Sequence, residues 1–246
     1  MYSIELQNLT KRFGDKTAVD DLTLTINDGE LFGLLGPNGA GKTVTIKTLC
    51  GLIKPTSGTA RINGFDATRE ADKVHRIIGL CPQEPAYFSY LTGRENIEIF
   101  GTFQGVHPKL LRERTTQLID AVGLSADANR RASKYSGGMV RRVSLAMALI
   151  HDPAVAFLDE PTVAMDPQSR HATWDIIRDL KKRGKTVVLT SHYIEEVDAL
   201  ADRVGIIDNG KLIALGTPDE LKQKHNATSL EDVFIAMTGR NIREAA

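Results

Sequence analysis

An α/β fold is predicted by three features of this 246-residue chain. The stretch Leu31 to Thr43, LFGLLGPNGAGKT, reads as a buried strand, a glycine-rich turn and the opening of a helix. Ala154 to Leu158 (AVAFL) and Thr186 to Leu189 are further uninterrupted apolar runs, the mark of parallel strands covered on both faces. Between them lie helix-period patterns, such as the one carrying Trp174, Ile177 and Leu180.

Taken in order, Ser3 to Leu9 and Asp21 to Asn27 alternate apolar and polar, as half-buried antiparallel strands do. Asp28-Gly29 turns the chain into the core strand. A second turn at Pro55-Thr56-Ser57-Gly58 leads to a short strand through Ile62, a polar helix near Ala67 to His75, and a strand from Ile77 to Cys81. From about Pro85 to His151 the pattern is helical. Thr92 with Glu95 forms a capping-box spacing for a helix reaching about Phe103. Pro108 suits a first helical position, and Leu110, Leu111, Leu118, Ile119 and Val122 make one stripe that Gly123 stops. Val204 to Asp208 and Lys211 to Leu215 flank Asn209-Gly210, a hairpin signal. Ser229 to Met237 reads as a short amphipathic helix with Ser229 and Asp232 at capping-box spacing.

The totals narrow the function classes. Formal net charge is zero, so no global electrostatic case exists for nucleic acid or an anionic membrane surface. The basic clusters Arg130-Arg131, Arg141-Arg142 and Lys181-Lys182-Arg183 read as solvated helix faces. Cys50 and Cys81 match no metal or redox spacing and are expected as core thiols of a reducing cytosol. No signal peptide is visible at Met1-Tyr2-Ser3-Ile4-Glu5, and no apolar stretch approaches the roughly 18–20 residues that span a bilayer. Any membrane role is therefore expected to run through a partner.

The chemistry starts at Gly36-Pro37-Asn38-Gly39-Ala40-Gly41-Lys42-Thr43, which fits G-x-x-x-x-G-K-[ST] at every fixed position. Glycines let backbone N–H groups curl around a triphosphate, and the helix behind them points its positive end at the anion. Lys42 can reach the β- and γ-phosphates, and the Thr43 hydroxyl can ligate Mg²⁺. Asp159 and Glu160 follow a buried strand at the sheet edge where ligands bind, which suggests one acid for the metal and the next for attacking water. Gln83 and His192 follow two other core strands toward the same edge. Tyr135-Ser136-Gly137-Gly138-Met139 places small residues at a second helix start, suited to another anion contact or simply to a flexible helix opening.

GPNGAGKT, YSGGM, AVAFLDEP, VAMD and SH, in this order, resemble the nucleotide-binding subunit of an ABC transporter over essentially the whole chain. The resemblance implies a P-loop NTPase fold with a mixed core sheet, an N-terminal antiparallel β-subdomain and an inserted α-helical subdomain. One domain, 1–246, would divide into an ATP-binding core (1–84 and 151–228), a helical subdomain with the signature motif (85–150) and a helical tail (229–246). Phe13 would stack on adenine, and Gly36 to Thr43 with Val44 would hold the phosphates. Thr43, Gln83 and Asp159 would serve Mg²⁺. Glu160 would be the general base, with Lys42, Gln83 and His192 completing the catalytic set. Ser136, Gly137, Gly138 and Met139 would contact ATP held by the opposite subunit, and Asp166 would be the D-loop aspartate. The implied partners are a second copy or a homologous ATPase, in a head-to-tail sandwich with two ATPs, and an integral membrane subunit docking near Gln83 to Phe100. The implied place is the cytoplasmic face of the cell membrane. Phe88, Tyr90 and Leu91 would then be either docking contacts or core.

The segments LTGRENIEIFG, SHYIEEVDALADRV, IIDNGKLIALGTPDELK and SLEDVFIAMTG resemble the daunorubicin-resistance type of exporter ATPase, which implies export of a drug, lipid, polysaccharide or similar molecule. A soluble non-transport ATPase of the same class and a nucleotide-gated regulator are the competing readings. The first usually carries two cassettes or a long coiled coil, and the intact Glu160 speaks against the second. Three positions depart from the family pattern. Val44 replaces a second hydroxyl that bonds the α-phosphate, Met139 replaces the usual glutamine, and Ala164-Met165 replace Gly and Leu before Asp166, with slightly altered D-loop flexibility as the expected result.

Overall fold

The structure, a computed structural model, describes residues 1–239 and folds them into two sheets surrounded by helices. Strand β1 (Tyr2–Phe13) pairs antiparallel with β2 (Lys16–Asn27), a longer hairpin than the alternating stretches predict. Its register shifts between Leu6 and Leu9, where Asn8 (φ 49°) and Asp21 (φ 52°) are left-handed and Asn8 Nδ2 donates to Asp21 Oδ1 at 2.9 Å. A bulge sets two residues against one, so strict alternation fails although the strand continues. With β4 (Ser57–Ile62) and β5 (Phe65–Asp66) this hairpin forms a sheet of order β2-β1-β4-β5.

The second sheet is built from β3 (Leu31–Leu35), β6 (Ile78–Cys81), β7 (Val155–Asp159), β8 (Thr186–Thr190), β9 (Arg203–Asp208) and β10 (Lys211–Gly216). Its order is β10-β9-β3-β8-β7-β6, parallel except for β10, which is the mixed sheet expected. Every residue of β3, β7 and β8 is buried, because both faces are covered. Phe32 and Leu34 join the core under the antiparallel sheet, while Leu31 and Leu35 join the opposite core. The hairpin at Asn209 (φ 47°) and Gly210 (φ 79°) forms as expected, with both central residues left-handed.

Helix α1 (Lys42–Leu49) packs under the antiparallel sheet, and α6 (Pro167–Lys182) and α7 (Ile194–Leu200) cover the opposite face. α3 (Gly93–Phe103), α4 (Pro108–Ala121) and α5 (Gly137–Leu149) form a third apolar cluster around Ile97, Ile119 and Val143. The Thr92–Glu95 capping box and Pro108 in the first turn are both present. Leu110 departs from its predicted stripe: it is exposed, whereas Leu111, Ile119 and Val122 are buried.

The polar helix also shifts. Phe65 and Asp66 pair with Ile62 and Arg61 as β5, so α2 occupies Ala71–Ile77 and takes Ile77 from the expected strand. The two-turn helices α7 and α8 (Pro218–Lys224) are too short for a periodic signal and go unpredicted. α9 (Leu230–Thr238) carries the predicted Ser229–Asp232 capping box, and the rest of the tail, residues 240–246, lies outside the described residues.

The Arg141-Arg142 pair is not a solvated face. Arg141 is buried and donates to Pro82 O at 2.9 Å, while Arg142 donates to the Val122 and Gly123 carbonyls that end α4. Cys50 and Cys81 are buried, and burial pushes both thiols up, Cys81 to about 11. At pH 8 a thiol of that kind is thiolate about one part in a thousand. Neither cysteine should react with an aromatic disulfide reagent until denaturant is added, and release of thiolate from the native protein within minutes would contradict the packing.

Candidate active site

The site is assembled at the C-terminal ends of the parallel strands. The loop Gly36 to Gly41 leaves β3 and enters α1, with Gly41 at φ 109° as its last residue. A Cβ at Gly41 would come within 2.4 Å of Ala18 O, and one at Gly36 within 2.4 Å of Ile207 O, so both positions require glycine. No side chain caps α1 and no acid sits in its first turn, whereas Ser136, Asp166, Thr217 and Ser229 cap their helices. The first N–H groups of α1 thus remain available to an anion.

Lys42 is buried and folds back onto the loop, donating to Gly36 O at 2.6 Å and Pro37 O at 3.3 Å. Desolvation holds its pKa below the usual lysine value, against the opposing pull of Glu160 and Asp159. An arriving polyphosphate would supply the counter-charge that burial withholds.

Thr43 Oγ1 donates to Asp159 Oδ2 at 2.9 Å, and Thr190 Oγ1 donates to Asp159 Oδ1 at 2.5 Å. The Thr190 hydroxyl therefore orients the carboxylate from β8. Pattern reading misses Thr190, because a threonine inside a buried β-branched run looks like ordinary strand. Glu160 is 4% exposed, and its N–H donates to both Thr190 O and Thr190 Oγ1 at 3.1 Å. Its backbone is left-handed (φ 55°), a strained state for a residue with a Cβ that persists only when the surroundings enforce it. His192 Nδ1 lies 2.5 Å from Glu160 Oε2, and the His192 N–H donates to the same oxygen at 3.3 Å.

A cleft of about 260 Å³ joins these parts, lined by Phe13, Lys16, Ala18, Pro37 to Val44, Gln83, Asp159 and Glu160. Phe13 is half exposed at the end of β1, with Lys11 Nζ 4.8 Å from its ring centre, and Gln83 faces the cleft from beyond β6. The structure thus gathers Phe13, the loop, Gln83, Asp159 and Glu160 into one cleft, with His192 bonded to Glu160.

It does not bring Ser136 to Met139 or Asp166 to that cleft. Ser136 caps α5 through the Met139 N–H at 3.3 Å, and Ser136 and Gly137 are exposed. The Met139 side chain is buried in the helical cluster, with Arg130 Nη2 3.2 Å from its sulfur. A thioether suits that apolar position, so the residue points inward rather than toward a ligand. Asp166 caps α6, accepting the Ser169 N–H at 2.9 Å, and that bond holds its carboxyl below the usual range. Ala164 stands at φ 61°. A glycine would sit there without strain, so Ala costs about 1 kcal/mol at this position.

Val44 lines the cleft and also packs on the core. Threonine in its place would offer a hydroxyl to the α-phosphate, worth about 1 kcal/mol, and should tighten ATP roughly fivefold. Fluorescence titration checks this, and unchanged or weaker affinity would refute it.

Residues 19–163, more than half of the chain, match the family model for ABC transporters. The chain is 46% identical over 220 residues to the daunorubicin/doxorubicin resistance ATP-binding protein DrrA of Streptomyces peucetius, covering 89% of this chain and 67% of that one. It is 40% identical to the Nod factor export ATP-binding protein I of Sinorhizobium fredii, over 98% of this chain and 69% of the relative. A dimeric ATP-binding cassette solved in a post-hydrolysis state with ADP and Pi superposes with a TM-score of 0.81 at 27% identity, covering 87% of this chain and 98% of that one.

Proposed function

Starting from the fact that the chain belongs to the ABC transporter family, as an ATP-hydrolysing subunit that powers export, we propose that two copies close head to tail over two ATPs and separate on hydrolysis. One observation carries this reading. Ser136 and Gly137 are exposed at the start of α5, and no residue from 136 to 139 lines the chain's own nucleotide cleft. A helix end suited to phosphate but remote from its own phosphate site fits a nucleotide held by another copy.

In the closed pair, Phe13 stacks on adenine and the loop N–H groups with Lys42 hold the phosphates. Water attacks the γ-phosphorus, its proton passes to the Glu160 carboxylate, and ADP leaves as the P–O bond breaks. His192, already bonded to Glu160, holds that carboxylate and faces the γ-phosphate. Thr43, Asp159 and the Gln83 amide are hard oxygen donors, the set that suits Mg²⁺. When bound, the ion neutralises charge on the phosphate oxygens.

Among the described residues no helix is long and apolar enough to cross a membrane. A second cleft of about 380 Å³ opens beside β6 and is lined by Leu52, Leu80, Pro82, Ala86, Phe100 and Gln104. Leu52, Phe88, Tyr90 and Phe103 stand exposed. For Phe88 and Tyr90 that exposure favours docking over core packing. We read this face as the seat of a cytoplasmic helix from a separate membrane subunit, which would hold the chain at the cytoplasmic side of the membrane. Residues 85–150 would be the arm that swings between this seat and the partner's ATP, against a core of 1–84 and 151–228. The relatives named above carry drug resistance and Nod factor export in their names, and we read the cargo here as a drug, lipid, polysaccharide or similar molecule. Light scattering of a hydrolysis-deficient form tests the central reading. A dimer that appears only with ATP is expected, and a monomer at every ATP concentration would overturn it.

A further inference from the structure

Behind the acidic pair lies a carboxylate that lines no part of the nucleotide cleft. Glu196, in the first turn of α7, is 0% exposed. Its Oε1 accepts from Trp174 Nε1 at 2.8 Å, its Oε2 accepts from Thr162 Oγ1 at 3.1 Å, and the Ser191 hydroxyl is a third donor. Those donors come from three separate segments. Thr162 is two residues beyond Glu160, Ser191 immediately precedes His192, and Trp174 lies in the middle of α6.

Burying a carboxylate without a cation costs several kcal/mol even when hydrogen-bonded, and an apolar residue of similar volume would pack there more cheaply. Desolvation indeed pushes the Glu196 carboxyl up, against its three donors. What the carboxylate provides is three acceptor contacts at one point, which no apolar side chain offers. A clamp is needed here, because Glu160 is held in a left-handed backbone state that relaxes unless its flanks are fixed.

We propose that Glu196 is a positioning residue for ATP hydrolysis, tying the segment after Glu160 to the turn before His192 so that the Glu160–His192 pair stays aimed into the cleft. The inference rests on the reading of Glu160 as the base. It assigns Glu196 no contact with nucleotide, so its loss acts on turnover and not on ATP binding.

In Glu196→Ala, kcat should fall at least about tenfold, since small misplacements of a reacting group carry penalties of that size. ATP affinity should stay within about twofold, with about one ATP bound per chain. Glu196→Gln should restore kcat to within about threefold of wild type, because its amide can accept from Trp174 and donate to the Thr162 hydroxyl. Trp174 is the only tryptophan, so its emission reports on the clamp: it should shift in Glu196→Ala and match wild type in Glu196→Gln. Wild-type kcat in Glu196→Ala, or a parallel fall of kcat and bound ATP, would overturn the proposal.

Should Glu196→Ala not fold, Thr162→Val deletes one donor alone. It should lower kcat severalfold, with no further loss when combined with Glu196→Gln, whereas additive losses would overturn the clamp. Failure of the underlying reading looks different: Glu160→Gln would then retain turnover, whatever the Glu196 variants do.

Discussion

Glu160→Gln is expected to lower ATP turnover about a thousandfold while leaving ATP affinity within about twofold. The substitution is nearly isosteric at a site 4% exposed, so packing changes little. The amide oxygen can still accept from the His192 N–H, which reaches Glu160 Oε2 at 3.3 Å. With Glu160 as the proposed base, what would disappear is the oxygen that accepts a proton from attacking water, a contribution of about 10²–10⁴ in rate. Binding should survive because the loop, Lys42 and Phe13 are untouched. Phosphate release under single-turnover conditions measures the effect, and equal turnover by both proteins would remove Glu160 as the base. The His192 contact sharpens the expectation. If His192 holds the carboxylate without taking the proton, His192→Ala should cost less than Glu160→Gln, because the base remains but loses one partner.

Legibility in the sequence follows the length scale of the physical signal. The parallel strands are readable because burial on both faces leaves uninterrupted apolar runs, as in Val155 to Leu158. The phosphate loop is readable because its residue types are dictated by steric limits, a Cβ at Gly41 striking Ala18 O. Short or locally irregular features are not. The bulge at Asn8 hides half a hairpin, and α7 and α8 span only two turns each. Contacts distant in sequence are invisible to any local pattern. Thr190 to Asp159 spans 31 positions and Thr162 to Glu196 spans 34. Buried arginine is also misread, because Arg141 satisfies a carbonyl across the fold at Pro82, a partner that composition cannot reveal. The candidate catalytic residues can thus be picked out from sequence, while the groups that orient them emerge only in the folded chain.

Gly137→Asp should abolish ATP-driven dimerisation and lower turnover about a hundredfold, yet leave ATP binding to the chain's own loop unchanged. The position allows an unusually clean separation of folding from function. A Cβ at Gly137 meets nothing within 4 Å, and the residue is the first of α5, after the Ser136 cap. An acidic side chain there favours the helix dipole by about 0.3–1 kcal/mol, so the isolated chain should melt at the same temperature or slightly higher. In the closed pair the same carboxylate would face the partner's γ-phosphate, where like charges in a water-poor interface repel by several kcal/mol. Stability and assembly should therefore move in opposite directions. Combined with Glu160→Gln, light scattering should find only monomer at saturating ATP, while nucleotide titration gives the parental affinity. A dimer of undiminished strength would mean that Ser136 and Gly137 face no phosphate in the assembled state, and the two-copy reading would have to be abandoned. Lost ATP binding without assembly would be equally damaging, since it would place the second helix start at the chain's own nucleotide.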